Sequence, residues 1–333
     1  MYTLLIYSRH CGEQRLERFL PPSAKRLKDR DVAVRTLDAH TASLTISLAG
    51  RLCGPCRIIP SLTAVTACEY GYRAVIGGST MAGVAACAVG AWAGETVAEA
   101  GSRGQALTAD VDTLSVSSLP EGAAITFHVW AADIDAFLAS PLIVGLSVTT
   151  GGEHGNGVGH ISGGPCEMRV AAKSQMVCAP ELSRRICSPT CVSMVLDYFG
   201  RESDVPDVAA LAYHAGHDLY GVWPANLWAA SRYGVLGYVH RFVDFEDAAR
   251  LLADKVPLIA SICYDEGGLP GAAISRTSGH LVVVRGYDHE NIYVNDPAAP
   301  EVKTVARSYP LPEFLGAWFG GKGVAYVLFP PAS

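Results

Sequence analysis

Two separated stretches constrain this chain most. One is Ser183-Arg-Arg-Ile-Cys-Ser-Pro-Thr-Cys-Val-Ser-Met-Val-Leu-Asp-Tyr-Phe-Gly200; the other is Ser278-Gly-His-Leu-Val-Val-Val-Arg-Gly-Tyr-Asp288, running on to Ile292-Tyr-Val-Asn-Asp-Pro-Ala298. In the first, Val192, Val195, Leu196 and Phe199 recur at helical spacing, Ser188 is a good N-cap, Pro189 suits the first helical position and Gly200 supplies a stop. Cys187 then stands just before the helix, where unpaired N–H groups and the positive end of the macrodipole favour a thiolate. In the second, Leu281 to Val284 is a β-branched apolar run, Asp288 to Asn291 a polar turn and Ile292 to Val294 a return strand. An antiparallel return brings His280 and Asp296 to the same end of the hairpin. An aspartate on one imidazole nitrogen fixes the tautomer and leaves the other nitrogen for a thiol. A lone cysteine is more often a buried apolar residue, and a lone histidine at a strand edge more often structural. The three together read as nucleophile, base and orienting group.

At these residues the chain resembles the family-39-type cysteine peptidases, a papain-like group best known for trimming bacteriocin leader peptides. Cys187-Ser-Pro-Thr190, Gly279-His280 and Asn295-Asp296-Pro297 carry the resemblance, which spans roughly Lys173 to Phe329. It implies Cys187 as nucleophile, His280 as base and Asp296 as the residue that orients it. It also implies that Gln175, in Lys173-Ser-Gln-Met176, helps form the oxyanion hole, and that Gly279 and the segment Gly221-Val-Trp-Pro-Ala-Asn226, with Trp223 and Asn226, border the substrate. Core packing is the plainer role for Trp223. The chain departs from the pattern at Ile186, where relatives often have an aromatic residue, and at Cys191, where they have serine. Cys191 lies one turn along the same helix face, and helix packing is expected to bury it.

At 333 residues, 50% hydrophobic and 17% charged, the chain is long enough for two folded domains. A net charge of −6 excludes a basic face for nucleic acid, and Lys25-Arg-Leu-Lys28 is too short to be one. The first residues, Met1 to Tyr7, carry neither a basic leader nor a long apolar run. Ala74 to Gly94 has no charge and nearly the length of a membrane span, but it is rich in Ala and Gly and broken by Gly77-Gly-Ser-Thr80. It reads as two buried strands joined by a glycine turn, and no integral membrane segment is expected. The ten cysteines show neither a secreted disulfide framework nor zinc spacing, so the expectation is a cytoplasmic protein without metal or other cofactor, acting on a peptide or other acyl substrate. The pairs His214 with His217 and His154 with His160 are expected to face solvent.

The glycine-rich run Thr150 to Pro165 divides the sequence, giving residues 1–165 as an accessory domain and 166–333 as the peptidase domain. In the second domain helices are expected near Asp207–His214, Pro224–Tyr233 and Phe245–Asp254, with strands Gly237–Phe242, Pro257–Tyr264 and Gly323–Phe329. That is an α+β plan. In the first, short Val-, Thr- and Ile-rich runs over Ser43–Leu48, Gly71–Ile76, Leu114–Ser118, Ala124–Trp130 and Leu142–Val148 suggest a β-sandwich. Asp110 to Leu114 resembles a strand in stand-alone bacterial relatives. A peptidase domain starting near Gly163 is expected to keep its activity alone.

The rival reading is a thiol-disulfide oxidoreductase built on Cys53-Gly-Pro-Cys56. It lacks a later proline to face the motif between Pro60 and Pro120, and an amphipathic helix after it. A third reading is a papain-like binding module without turnover; intact Cys187, His280 and Asp296 count against it. Acyl transfer to an amine would use the same residues as hydrolysis.

Overall fold

The computed structural model describes residues 2–52, 54–79, 83–90, 106–150 and 164–331. The middle of the glycine-rich divider, Cys53, His154 and His160 lie outside these described residues.

The first half opens with β1 (Tyr2–Arg9), α1 (Glu13–Glu17), β2 (Lys25–Arg26), β3 (Val32–Thr36) and β4 (Thr41–Ser47). It continues through β5 (Cys56–Ala64), β6 (Tyr70–Gly77), β7 (Val84–Ala85), β8 (Val89–Gly90), β9 (Leu107–Asp110) and β10 (Thr113–Val116). It closes with β11 (Ala124–Ala131), α2 (Ile134–Ala139) and β12 (Leu142–Thr150). These strands form two sheets, one ordered β2-β1-β12-β5-β10-β9 and the other β3-β4-β11-β6-β7, with β8 also on β6.

The second half contains β13 (Cys166–Glu167), α3 (Cys187–Tyr198), α4 (Val205–Ala212), α5 (Trp223–Arg232), β14 (Leu236–Arg241) and α6 (Phe245–Ala253). After them come β15 (Leu258–Tyr264), β16 (Thr277–Tyr287), β17 (Asn291–Asn295), β18 (Ala306–Pro310), α7 (Leu311–Gly320) and β19 (Val324–Phe329). Their antiparallel sheet runs β14-β19-β15-β16-β17-β18, with β13 on β16. Helices first and strands after is the expected α+β plan.

The apolar runs Leu4–Tyr7 and Leu142–Val148 do not alternate with polar residues because both faces of the first sheet are covered. Leu5, Tyr7, Leu62, Val144 and Leu146 point into a core shared with the second sheet. Leu4, Ile6, Ile59 and Ile143 join the core of the second half, beside Tyr238, Val239 and Phe329. Gly145 permits this approach, since a Cβ there would sit 3.1 Å from the Tyr238 Cβ and 2.9 Å from the Ser61 hydroxyl. The Phe19 and Phe329 rings stack 4.7 Å apart, and the buried Tyr238 hydroxyl donates to the Phe19 carbonyl at 2.6 Å. The two halves thus share an apolar core, and a free-standing second half would bare it.

Three local expectations are corrected. Asp110 to Leu114 is not one strand: Val111, at φ 50°, and Asp112 turn the chain between β9 and β10. The catalytic-type helix begins at Cys187 rather than after it, because Ile186 occupies the N-cap position and the Ser188 hydroxyl bonds the Tyr326 hydroxyl at 2.9 Å instead of capping. His214 is buried, its Nε2 held 2.9 Å from the Ala88 carbonyl, and only His217 of that pair faces solvent. The uncharged stretch after Ala74 does form strands, β7 and β8 pairing back onto β6. No helix among the described residues is long and apolar enough to cross a membrane.

Candidate active site

Helix α3 carries nine consecutive buried residues from Ser188 to Leu196, since it lies between β16 on one side and α4 and α5 on the other. Gly200, at φ 72°, ends it where a side chain would be strained. Cys187 is the first residue of this buried helix and yet stays partly exposed. The Thr190 hydroxyl donates to the Ile186 carbonyl at 2.7 Å and tightens that first turn.

His280 lies on β16 opposite Ile262 of β15, and is buried. In the hairpin Val283 pairs with Asn295, so one step further Asp296 falls opposite Val282, diagonal to His280 on the same face. The imidazole Nε2–H donates to Asp296 Oδ1 at 2.8 Å, which turns the other ring nitrogen toward Cys187. The thiol and the ring hydrogen-bond to one another. Asp296, fully buried, also accepts from the Ala298 N–H at 2.9 Å and from the Tyr309 hydroxyl at 2.7 Å.

The electrostatics of this cluster favour an ion pair. Burial alone would raise the Cys187 thiol, but its hydrogen bond to His280, the imidazolium charge and the N–H groups of Leu281 and Ser188 bring it below its ordinary value. Burial alone would depress His280; the Asp296 carboxylate and the thiolate outweigh it and push the imidazole up to about 10. Burial would also raise Asp296, and His280 with Tyr309 instead holds it below the usual carboxylate range. Cys191, one turn further on, is buried and donates to the Leu281 carbonyl at 3.3 Å. Burial and the neighbouring charges of Cys187 and Asp296 drive its thiol well up, so the two helix cysteines are opposite in character.

Gln175 begins a short 3₁₀ turn, Gln175–Val177. Its backbone N–H donates to the Pro297 carbonyl at 2.9 Å and its side-chain amide to the Ser183 carbonyl at 2.7 Å. It is therefore pinned between the loop that follows Asp296 and the segment that leads into Cys187. Lys173 anchors the same strand of chain to α3 through Asp197, at 2.7 Å. Gly279 is exposed beside His280, and a Cβ there would meet open space.

Trp223 and Asn226 shape the entry to α5 through hydrogen bonds of their own. Asn226 is fully buried, and its amide donates to the Tyr220 and Val222 carbonyls at 2.8 Å each. The Trp223 N–H donates to Asp112 Oδ2 at 3.0 Å, a contact with the first half. Among the described residues no hydrogen bond joins either to Cys187, His280 or Asp296. Of the rival pair, Cys56 opens β5, buried, with its thiol raised by burial, while Cys53 lies outside the described residues. Tyr309 was not foreseen: its pairing with Ile292 is visible only once β18 folds against β17. Among the described residues no three His, Cys, Asp or Glu side chains group as a metal site would require.

The profile of the Peptidase_C39 like family matches residues 167–326, which include Gln175, Cys187, His280, Asp296 and Tyr309. Over these residues, just under half of its length, the chain is similar to C39-type peptidases. A crystal structure from Bacillus anthracis, titled as a C39-like peptidase, aligns at a TM-score of 0.40 and 17% identity, covering 51% of this chain and 100% of that one. No curated protein matches the chain.

Proposed function

We propose that the chain is a cysteine peptidase in which Cys187, His280 and Asp296 act through a covalent acyl-enzyme. The observation that carries the reading is the buried 2.8 Å contact between His280 and Asp296, set against a helix-start thiol whose pKa is lowered by that imidazole. The Cys187 thiolate attacks the carbonyl carbon of a peptide, and the electron pair moves to the carbonyl oxygen. Backbone N–H groups at the start of α3, with the amide of Gln175, receive that oxyanion. The His280 imidazolium then gives its proton to the departing amine as the C–N bond breaks and the thioester forms. Neutral His280 takes a proton from water, the resulting hydroxide attacks the thioester, and the acid leaves as Cys187 is restored. Asp296 keeps the imidazole turned throughout and stabilises its charged form. An amine in place of water would give acyl transfer with the same residues.

Residues 1–165 are proposed as a β-sandwich-like accessory domain, supported by two sheets around one core. The nine described cysteines are free thiols, which supports a reducing, cytoplasmic setting. The test is mass-spectrometric capture of an acyl adduct from a peptide library on the full chain. An adduct on the peptide containing Cys187, absent in Cys187→Ala, is expected; labelling confined to any other cysteine overturns the reading.

A further inference from the structure

The carboxylate of Asp296 has two oxygens, and His280 occupies only one of them. Oδ1 receives the imidazole N–H and the Ala298 N–H, while Oδ2 receives the Tyr309 hydroxyl at 2.7 Å. Asp296 and Tyr309 are both fully buried, and no other hydrogen bond to Oδ2 is described: Tyr264, Arg307 and Cys191 lie within electrostatic reach of the pair, but the Tyr264 hydroxyl donates to Ile274, Arg307 to Gly271 and the Cys191 thiol to Leu281. Tyr309 is itself fixed: it lies on β18 in register with Ile292, and its ring stacks on Phe314 of α7 at 6.3 Å and 19°. A rigid edge strand and a helix therefore aim one phenol at the back of the carboxylate that orients the base.

Resting on the peptidase reading above, we propose that Tyr309 is a positioning residue of the reaction: its O–H holds the Asp296 carboxylate ionised and turned so that the Cys187–His280 ion pair can form. The hydroxyl keeps its proton throughout, because burial and the adjacent carboxylate both raise it far above the ordinary phenol value. It therefore acts only as a hydrogen-bond donor. Its bond lowers the pKa of Asp296, and the ionised Asp296 in turn raises that of His280. Losing the donor weakens both effects. Asp296 then takes up a proton at higher pH, and the imidazolium gives up its proton at lower pH. The pH range over which Cys187 is a thiolate beside an imidazolium narrows from both sides.

The test uses full-length Tyr309→Phe, which removes one oxygen and keeps the ring. The rate of Cys187 alkylation by iodoacetamide, followed by mass spectrometry across pH 4 to about 10, reads the ion pair without any substrate. The variant is expected to show the acid edge of alkylation shifted up, the alkaline edge of kcat shifted down, and kcat reduced about tenfold or more with KM unchanged. An unchanged alkylation profile with unchanged kcat would overturn the proposal, whatever the melting temperature. Failure of the peptidase reading looks different: the parent would then show no enhancement of Cys187 alkylation over His280→Ala, and no turnover.

Discussion

Thr63 and Gly237 clasp each other across the junction of the two halves: the Thr63 hydroxyl donates to the Gly237 carbonyl at 3.0 Å and accepts from its N–H at 3.0 Å. Both bonds are buried, and a Cβ on Gly237 would lie 2.6 Å from Leu328, so neither residue has an easy substitute. Thr63→Val keeps the shape and leaves two buried backbone groups unpaired, at about 1–3 kcal/mol each. The expected result is a melting temperature several degrees lower, largely restored in Thr63→Ser. A fully stable valine variant would show that the junction is wet.

The same junction sets the expectation for truncation. A chain starting at residue 164 would bare Tyr238, Val239 and Phe329, which now pack beside Leu4, Ile6, Phe19 and Ile143. It is expected to be poorly soluble, or to bind a hydrophobic dye and lose near-ultraviolet dichroism. A soluble, dye-silent and active fragment would mean that the junction contributes little.

Cys187 is expected to alkylate fastest of the cysteines near neutral pH, and Cys191 among the slowest, since one thiol is lowered by His280 and the other raised by burial. Time-resolved adduct mapping checks this. Replacing Cys53 and Cys56 by serine should leave the acyl-enzyme yield unchanged; a disulfide-reductase activity lost in that variant would favour the rival chemistry.

Asp296→Asn is expected to fold and to lose activity by about a hundredfold or more, because the amide no longer anchors the imidazolium and favours the wrong tautomer. Steady-state kinetics on a captured substrate measure it. Activity within a few-fold of the parent would mean that another group orients His280.

Asp112 gives a pH dependence of stability. Burial, only partly offset by the hydrogen bonds from the Trp223 N–H and the Thr113 hydroxyl, lifts its carboxyl from 3.8 to about 6. The folded state thus holds this proton more tightly than the unfolded chain. Its contribution to stability is full below about pH 4 and is lost as pH rises through about 6, by an amount on the order of 3 kcal/mol. Asp112→Asn still accepts from Trp223 without the buried charge. Denaturant titrations should find it more stable than the parent at pH 7.5, with the advantage gone near pH 4; equal stability at both pH values would show that Asp112 is hydrated.

What the sequence revealed of the site follows from range. Cys187, His280 and Asp296 each sit at a local boundary, a helix start, a strand and a strand exit, and local patterns predict such boundaries. The company of His280 and Asp296 was predictable because a hairpin brings its two ends together, whereas Cys187 joins them through the packing of α3 on β16. Ser188 misled because its hydroxyl serves Tyr326, 138 residues away, rather than the neighbouring helix N–H groups. Asp112 and Trp223 meet across 111 residues, and nothing in Asp-Val-Asp-Thr-Leu announces a helix partner. Asn226 has the polarity of a binding residue, and its NH2 group donates to carbonyls four and six residues back, a local role that the sequence does not announce. In the first half strand runs were legible, whereas the doubly covered first sheet was not, since an unbroken apolar run does not say what lies on either face.

Strand β19 is the last strand of the described chain, yet it lies inside the sheet, paired with β14 on one side and β15 on the other. During synthesis on the ribosome, β14 and the β15–β16–β17 block therefore have no common neighbour until residue 329 has emerged. The Tyr326 hydroxyl that grips Ser188, next to Cys187, arrives with the same strand. The sheet behind the thiol is thus closed only by β19, and a nascent chain would carry Cys187 more than a hundred residues before it has the strand that completes the scaffold around it.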